Sequence, residues 1–492
     1  MDELNIKLSN GALYTLPSSI ARPNYDRTKL TPGIVHIGLG NFHRAHQAWY
    51  LHRLMQQGLA QDWGIIGAGV RANDEEQRKR LEVQDYLTTL IELDPAGHSV
   101  EIVGSMIGFV PVQEGNAALI EQMADPAIRI VALTVTEGGY YINPVTKAFD
   151  PDHPDIQHDA KNPDSPKTAF GAMIAALKRR RAAGVAAFTG QSCDNLQGNG
   201  EILKQTVVSL AKLSDQDLAH WIEAHCSFPN AMVDCIVPAS GEKELALVKN
   251  YGINDAAPVT HENFRQWVIE DDFCAGRPDW DKAGATFTND VHAFETMKIR
   301  ILNGGHQIIA NAGELLSVEY ISDCMSHPLI GSFFQKVASQ EIAPRVHAVP
   351  DMTPDAYVAL VDKRFSNPDI IDTVRRVAFD GSSRHTGFLI PTINESLAAD
   401  SSIEGLALAQ ALWARMCEGT REDGSVIEAN DPIWDSLNAN ARLAKQTPQA
   451  WLDQADLYGD LGANKKFSDS FKRWLNMIWH DGTEAALKTY LA

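Results

Sequence analysis

The sequence predicts an α/β protein with two domains, a doubly wound parallel-sheet domain followed by a mainly α-helical one. Three observations support this prediction. A buried strand opens through a glycine turn onto a helix near residue 40, strands and helices alternate up to about residue 290, and helical periods then replace the β-branched runs. The chain has 492 residues, too many for one ordinary hydrophobic core. We therefore expect a Rossmann-type dinucleotide-binding domain over residues 1–290 and a mainly α-helical substrate and catalytic domain over residues 291–492.

Composition and charge exclude several classes of protein. The net charge of −20 argues against binding to nucleic acid or to an anionic membrane surface. No apolar run approaches the roughly 18 residues of a membrane span, and the N-terminal residues lack a signal-peptide pattern. Six cysteines are scattered singly, which is typical of reduced thiols. We expect a cytoplasmic protein and leave its oligomeric state open, with a monomer as one possibility.

The first element is a short buried strand beginning at Gly33, followed by the turn Gly38-Leu39-Gly40 and a helix to about Gln57. A strand that opens through Gly-x-Gly onto a helix N-terminus can receive a pyrophosphate, because the glycines let the backbone approach and the unpaired N–H groups carry partial positive charge. The third glycine of the usual fingerprint is replaced by His43. His43 and His46 form a His-x-x-His without a third clustered ligand, so we expect no catalytic metal.

The second strand lies at 63–70 and ends at Arg71, shortly before Asp74. An acid here can bind the ribose diol of a dinucleotide, although the distance from the glycine loop exceeds the usual spacing. The alternative is that Asp74 only caps the following helix. The residues that we assign to cofactor binding are Gly38, Gly40, Asn41, Phe42, His43, Arg44, Arg71, Asp74, Thr136 and Glu137.

Further strands are predicted at 86–93, 100–110 and 128–136, the last ending at Glu137-Gly138-Gly139. A helix follows at 167–183, and residues 185–189 lead into a polar turn at 191–195. Another strand is expected at 232–237, before Pro238. Ligands of open parallel sheets lie beyond the carboxyl ends of the strands, which places the polar residues after these strands near a ligand.

The second half is predicted to contain helices at 294–318, 328–340, 353–364, 391–399, 404–418 and 468–479. In the first of these, Lys298, His306 and Asn303 fall near 0°, 80° and 140° at about 100° per residue, so that all three can face one pocket. Gly304 and Gly305 are poor helix formers and suggest close approach of a ligand. The alternative is a buried helix that stops at an Asn-Gly-Gly turn, with Lys298 reaching solvent.

Five motifs occur along the chain in a fixed order. They are Gly38-x-Gly40-Asn41-Phe42-His43-Arg44-Ala45-His46, Thr136-Glu137-Gly138-Gly139-Tyr140, Ser192-Cys193-Asp194-Asn195, Met232-Val233-Asp234 and Lys298-x4-Asn303-Gly304-Gly305-His306. In these motifs and their order the chain resembles the mannitol 2-dehydrogenase family, which also includes hexuronate reductases. The resemblance covers essentially the whole chain.

The resemblance implies metal-independent hydride transfer between a nicotinamide and C2 of a polyol or 2-ketose. It implies that Lys298 is the general acid/base and that Asn195 and Asn303 hold the reacting oxygen. The other implied site residues are His306 and, in less secure alignment, Arg376 and Arg384 for substrate, with Glu295 and Asp234 as acids near the lysine. Two amide donors stabilise a developing alkoxide, a role that zinc plays in other alcohol dehydrogenases.

The sequence departs from the family pattern in places that bear on specificity. Cys235 replaces an arginine after Met-Val-Asp, Gln191 stands where apolar residues are usual, and Arg384 stands where lysine is common. The acidic pair at the ribose end is reduced to Asn73-Asp74. A single acid favours NAD over NADP but leaves some use of NADP plausible.

Our leading hypothesis is an NAD-dependent polyol 2-dehydrogenase that acts on D-mannitol and D-fructose. One alternative is a hexuronate reductase acting on fructuronate, whose carboxylate needs Arg376, Arg384 or another cation. D-arabinitol or D-sorbitol dehydrogenase activity is another. A hypothesis from a different class is a catalytically silent NAD-binding sensor. The joint presence of Lys298, Asn195, Asn303 and His306 argues against it.

Overall fold

The computed structural model describes residues 5–143 and 148–492 and divides the chain into two compact units, Met1–His292 and Ala293–Ala492. The strands all lie in the first unit. They are β1 (Ile6–Lys7), β2 (Pro32–Ile37), β3 (Gly64–Ala68), β4 (Thr88–Leu93), β5 (Ser99–Val103), β6 (Met106–Phe109), β7 (Ile130–Leu133), β8 (Thr189–Ser192), β9 (Ala231–Asp234), β10 (Ile253–Asn254), β11 (Val259–Glu262), β12 (Gln266–Glu270) and β13 (Thr286–Thr288).

The helices of the first unit alternate with these strands, as a doubly wound fold requires. They are α1 (Asn41–Ala45), α2 (Gln47–Gln56), α3 (Ala72–Glu82), α4 (Ala117–Ala124), α5 (Pro154–Lys161), α6 (Ala169–Ala182), α7 (Asn199–Lys212), α8 (Gln216–His225) and α9 (Glu242–Asn250). The predicted first helix to Gln57 is present but broken at His46, whose backbone leaves the helical region.

The central sheet has five parallel strands in the order β6–β3–β2–β7–β8. In the order in which these five strands occur along the chain this is 3-2-1-4-5, which is the Rossmann arrangement, and the direction of winding reverses between β2 and β7. Alternate residues of each strand enter different cores. Val35 and Val131 pack with α4, α6 and α7, whereas Ile34 and Ile130 pack with α2, β11 and β12. The predicted Rossmann-type domain is confirmed.

Two local predictions in this unit are corrected, and a third is confirmed in a shorter form. The predicted strand 100–110 is two strands, β5 and β6. The strand predicted at 232–237 is present as β9, which pairs antiparallel with β12 in a separate three-stranded sheet. Gln191 and Ser192, predicted to lie in a polar turn, belong to β8 and are fully buried. Hydrogen bonds to buried partners offset the burial of such polar side chains.

The second unit is mainly helical, as predicted, and residues 293–492, all of them described, pair in strand fashion only at isolated bridges. The α-helices are α10 (Val291–Met297), α11 (Gly304–Leu315), α12 (Ile321–Ser326), α13 (Pro328–Val337), α14 (Pro354–Phe365), α15 (Val374–Val377), α16 (Gly381–Arg384), α17 (Ile390–Ala398), α18 (Glu404–Met416), α19 (Trp434–Ala444), α20 (Gln449–Leu452), α21 (Ala455–Tyr458), α22 (Lys465–Asp481) and α23 (Thr483–Leu491).

Three segments of this unit, at 298–303, 338–342 and 385–389, are π-helical. In the described parts of the chain, no helix combines the length and apolar character needed to cross a membrane.

Candidate active site

A cavity of about 450 Å³ lies beyond the carboxyl ends of β2 and β7, where the winding of the sheet reverses. This is the position at which open α/β sheets bind their ligands. Its walls come from the loop after β2, from the loop after β7, from α3 with the residues just before it, and from the start of α6. Among the residues assigned to cofactor binding, Gly38, Gly40, Asn41, Arg71, Asp74 and Thr136 line it.

The two glycines of the first loop serve different purposes. Gly38 has φ +89°, and a Cβ there would lie 2.1 Å from the Thr134 carbonyl oxygen, so only glycine fits. A Cβ at Gly40 would meet nothing within 4 Å. Gly40 is also the N-cap of α1, and no side chain caps the amides of that helix. The open space and the uncapped N–H groups fit a pyrophosphate.

The side chains that follow Gly40 pack behind the glycine loop, on the side away from the cavity. The Arg44 guanidinium is buried and donates to Asn41 Oδ1 over 2.7 Å and to the carbonyl of Ala257. Burial lowers the pKa of Arg44 to about 10. Phe42 stacks on the ring of His46, and His43 stacks on the ring of His36. Arg44, Phe42 and His43 do not line the cavity, so their side chains support the loop from behind.

Asp74 combines the two roles that the sequence left as alternatives. Its Oδ2 accepts hydrogen bonds from the N–H groups of Val70 over 3.0 Å and Arg71 over 2.9 Å, which caps α3. The same residue lines the cavity. Gly69 is required beside it, since a Cβ there would lie 2.2 Å from Asp74 Cβ. Arg80, on the same helix, also lines the cavity and was missed by the sequence reasoning.

A buried carboxylate, Asp194, holds the loop after β7. It accepts hydrogen bonds from the N–H groups of Val135 over 3.1 Å and Thr136 over 2.9 Å, and from the hydroxyl of Tyr140 over 2.6 Å. Thr136 has φ +67°, a conformation that a threonine adopts only when its surroundings impose it. Asp194 therefore holds the loop after β7 in the cavity wall, and the next residue in the chain, Asn195, is exposed. Asp194 belongs to one of the family's motifs, but the sequence alone predicted no role for it. The side chain of Glu137 lies outside the described part of the structure.

We expect Asp194→Asn to destabilise the protein and to weaken NADH binding. An amide has one acceptor oxygen where the carboxylate serves three donors, so at least one buried donor loses its partner at a cost of about 1–3 kcal/mol. Thermal unfolding and NADH titration measure the two effects. The matched control is Asp164→Asn, whose side chain is 84% exposed. If Asp194→Asn matched the parent in both measurements, the loop would not depend on this carboxylate.

The remaining predicted residues of the first unit lie near the ends of β8 and β9. Asp234 ends β9 and is buried. Cys235 beside it is also buried, in agreement with a small filler. Gln191, considered as a determinant of substrate choice, instead faces the interior, where its Oε1 lies 3.1 Å from Gln47 Nε2. The prediction that Gln191 affects substrate choice is wrong, because its side chain is fully buried and hydrogen-bonded inside the core.

In the second unit Lys298 opens a π-helical segment that ends at Asn303. The 100° spacing used to align Lys298, Asn303 and His306 is therefore wrong for these residues, because i→i+5 bonding widens the turn. Single π turns of this kind are frequent at functional sites. Lys298 is buried, with 7% of its surface exposed, and the acid Glu295 is buried one turn earlier. The helix does not stop at Asn303, since α11 continues to Leu315.

Gly304 and Gly305 are explained by packing, which corrects the expectation that they admit a ligand. A Cβ at Gly305 would lie 2.7 Å from Cε2 of Phe334 and 3.4 Å from Phe365. A Cβ at Gly304 would lie 3.1 Å from Leu389. The glycines let aromatic and aliphatic side chains of neighbouring helices reach the backbone of α11.

Gly305→Ala should lower the free energy of unfolding by about 1–3 kcal/mol, because the added methyl displaces the buried ring of Phe334. This loss exceeds the gain of about 1 kcal/mol that alanine brings to a helix. The matched control is Gly387→Ala, where a Cβ meets nothing within 4 Å. Urea unfolding of both variants distinguishes packing from helix propensity. Equal stability of Gly305→Ala and the parent would contradict the packing explanation.

His306 is buried near several charged side chains, of which the sequence predicted only Arg376 and Arg384. Its ring stacks on Phe365 with 4.2 Å between ring centres, and its Nε2 is buried without a partner among the described residues. Burial lowers the pKa of His306 to about 3, against the opposing influence of Asp372. Arg376 and two further arginines nearby add to the lowering. The neutral ring therefore keeps one buried nitrogen whose hydrogen-bonding capacity is unused among the described residues.

The two predicted substrate arginines have other contacts in the structure. Arg376 is exposed and forms two hydrogen bonds of 2.6 Å with the buried carboxylate of Asp372. Arg384 donates to the carbonyl of Val377 over 2.7 Å. The sequence reasoning missed Asp372 and the buried Arg364, both of which influence His306.

Among residues 5–143 and 148–492 no group of three or more histidine, cysteine or acidic side chains is placed to hold a metal ion. In the His-x-x-His sequence, both rings are buried, and Nε2 of His46 lies 3.0 Å from the Gln266 carbonyl oxygen.

Comparison with known proteins covers both units. Residues 32–282 match the family model of the mannitol dehydrogenase Rossmann domain, and residues 290–479 match that of the mannitol dehydrogenase C-terminal domain. The chain is 54% identical to a mannitol 2-dehydrogenase of Cereibacter sphaeroides over 96% of this chain and 99% of that protein.

Two solved structures are also similar. The ternary complex of Pseudomonas fluorescens mannitol 2-dehydrogenase with NAD and D-mannitol is 39% identical, with a TM-score of 0.85 and 99% of each chain covered. A substrate-free D-sorbitol dehydrogenase is 33% identical, with a TM-score of 0.91 over 98% of this chain and all of that chain.

Proposed function

We propose that this chain, which belongs to the mannitol dehydrogenase family, is an NAD-dependent polyol 2-dehydrogenase that interconverts D-mannitol and D-fructose. The observation that carries the proposal is 54% identity to a mannitol 2-dehydrogenase over nearly the full length of both chains. The similar complex with NAD and D-mannitol supports the cofactor and the class of substrate. The cavity at the switch point of the sheet supports dinucleotide binding independently.

In the proposed mechanism, the residues that match the family's motifs act on C2 of the polyol. When bound, NAD accepts the hydride from C2. The amine of Lys298 takes the proton of the C2 hydroxyl and returns it in the reverse reaction. The side-chain amides of Asn195 and Asn303 donate hydrogen bonds to the oxygen as it gains negative charge. His306 binds a neighbouring hydroxyl. Glu295 and Asp234, both buried, match the acids that accompany the lysine in the family.

A panel of substrates tests the function. We expect NADH oxidation with D-fructose and NAD reduction with D-mannitol, and slower turnover with D-sorbitol and D-arabinitol. Fructuronate reduced faster than fructose would favour the hexuronate reductase alternative. Faster oxidation of D-sorbitol would favour the activity named for the similar D-sorbitol dehydrogenase structure. NADH binding without turnover of any member of the panel would favour a silent sensor.

The same assay tests the preference for NAD over NADP and the expectation that catalysis needs no metal ion. Asp74 at the ribose end of the cavity favours NAD, whereas Arg71 and Arg80 in the cavity wall allow some use of NADP. Activity should survive dialysis against EDTA, since two amides take the role of the metal. Loss of activity with the chelator, restored by Zn²⁺, would contradict this mechanism. A cytoplasmic location remains a prediction. The oligomeric state, which the sequence leaves open, is measurable by light scattering.

A further inference from the structure

A row of buried polar side chains runs from β8 to the glycine loop that lines the cavity. Gln191 Oε1 lies 3.1 Å from Gln47 Nε2, and Gln47 Oε1 lies 2.9 Å from His36 Nδ1. On the other side of the ring, His36 Nε2 lies 2.8 Å from Thr134 Oγ1. Thr134 Oγ1 in turn contacts the carbonyl oxygen of Gly38. Both glutamines and His36 are at most 1% exposed, so solvent does not satisfy these groups.

The positions of the hydrogens in this row can be deduced from the end at the glycine loop, where Thr134 meets Gly38. The carbonyl oxygen of Gly38 can only accept, so the single hydrogen of the Thr134 hydroxyl points to it. Thr134 Oγ1 must then accept at its contact with His36, which places a hydrogen on Nε2 of the imidazole. Burial lowers the pKa of His36 to about 3, so the ring is neutral and its Nδ1 carries no hydrogen.

The neutral ring determines how both amides are oriented. Nδ1 of His36 must accept, so the Gln47 atom that faces it is the amide nitrogen and not the oxygen. The oxygen of Gln47 then faces Gln191, whose facing atom must be its nitrogen. This exchange also accounts for the Gln191 nitrogen, which otherwise lies buried without a partner in the described structure. An oxygen in that place is tolerated more easily than an unpaired N–H group.

We propose that His36, as the neutral Nε2–H tautomer, is a positioning residue for the cofactor loop. It is the middle member of a series of hydrogen bonds that all donate in the same direction. Gln191 donates to Gln47, Gln47 to His36, His36 to Thr134, and Thr134 to the carbonyl of Gly38.

This series of hydrogen bonds acts on one peptide group of the loop. Because the peptide is planar and trans, a Gly38 carbonyl held by Thr134 sets the Leu39 N–H in the opposite direction. That N–H donates to no acceptor among the described residues, and Leu39 lines the cavity. The stacked ring of His43, 3.5 Å from that of His36, keeps the imidazole from turning. The series of hydrogen bonds thus prepares the loop amide for the pyrophosphate before the cofactor arrives.

This inference rests on the proposed function through its cofactor, so one measurement is chosen to be independent of turnover. A ¹H–¹⁵N spectrum of protein labelled at histidine, with His36 assigned by its loss in His36→Asn, should show the neutral Nε2–H tautomer between pH 5 and 9. An Nδ1–H tautomer or an imidazolium at His36 would overturn the proposal. A protein that shows this tautomer and binds NADH but oxidises no polyol contradicts the proposed function alone.

Binding of NADH tests the consequence. Gln47→Leu removes the donor to His36 and changes no residue that lines the cavity. It should raise the Kd for NADH about tenfold. Thr134→Val should have a similar effect, and Thr134→Ser should restore the Kd to within about twofold. The control is Thr260→Val, at a buried threonine whose hydroxyl has no partner among the described residues. NADH bound by folded Gln47→Leu as tightly as by the parent overturns the proposal. If Gln47→Leu does not fold, equal Kd values for Thr134→Val and Thr134→Ser do so.

Discussion

Replacing Lys298 by alanine should lower kcat for mannitol oxidation by about 10²–10⁴, the usual contribution of a positioned acid or base. Lys298 is buried at the start of a π-helical segment, and the acid Glu295 is buried one turn earlier. The variant should still bind NADH with a Kd close to that of the parent, because the cavity is lined entirely by residues of the first unit. Stopped-flow turnover and fluorescence titration of NADH measure the two quantities separately.

Added methylamine provides a second readout for Lys298. If the lysine moves the proton, the small amine should restore part of the turnover of Lys298→Ala and leave Kd for NADH unchanged. The matched control is Lys363→Ala, at an exposed lysine of α14, which should turn over at the rate of the parent. Full activity of Lys298→Ala would remove the lysine from the mechanism.

The second large effect is expected at the two asparagines. Asn195→Ala and Asn303→Ala should each lower kcat by about 10²–10³, the range found when one donor to a developing oxyanion is removed. Asn195 follows Asp194 after β8 in the first unit, and Asn303 ends the π-helical segment in the second. The effect should fall mainly on kcat, since the donors act on charge that is greatest in the transition state.

The double variant tests whether both asparagines act on one oxygen. If they do, Asn195→Ala together with Asn303→Ala should cost less than the product of the two single effects, because the remaining donor is worth little once the other is gone. Asn250→Ala, at an exposed asparagine at the end of α9, is the control for the substitution itself. Strictly multiplicative effects would mean that the two amides act on different atoms or in different steps.

Patterns that are local in the sequence predicted the architecture of this protein. The buried run before Gly38 predicted β2, the glycine turn predicted the cavity beside it, and the change to helical periods predicted the α-helical second unit. These inferences hold because a strand or helix shows its buried face within about ten residues of its own sequence. The motifs from Gly38 to His306 added the family, which the comparisons confirmed.

Contacts between distant residues decided what the individual side chains do. Gly305 is small because Phe334 packs on it, Asp194 holds a loop some 60 residues earlier in the chain, and Gln191 pairs with Gln47 in the core. The π turn at Lys298 changed a geometry that ideal helical spacing had predicted. Hydrophobic periodicity reports whether a position is buried. Only the packed structure determines which donor meets which acceptor there, because hydrogen bonds depend on distances between segments that are remote in the sequence.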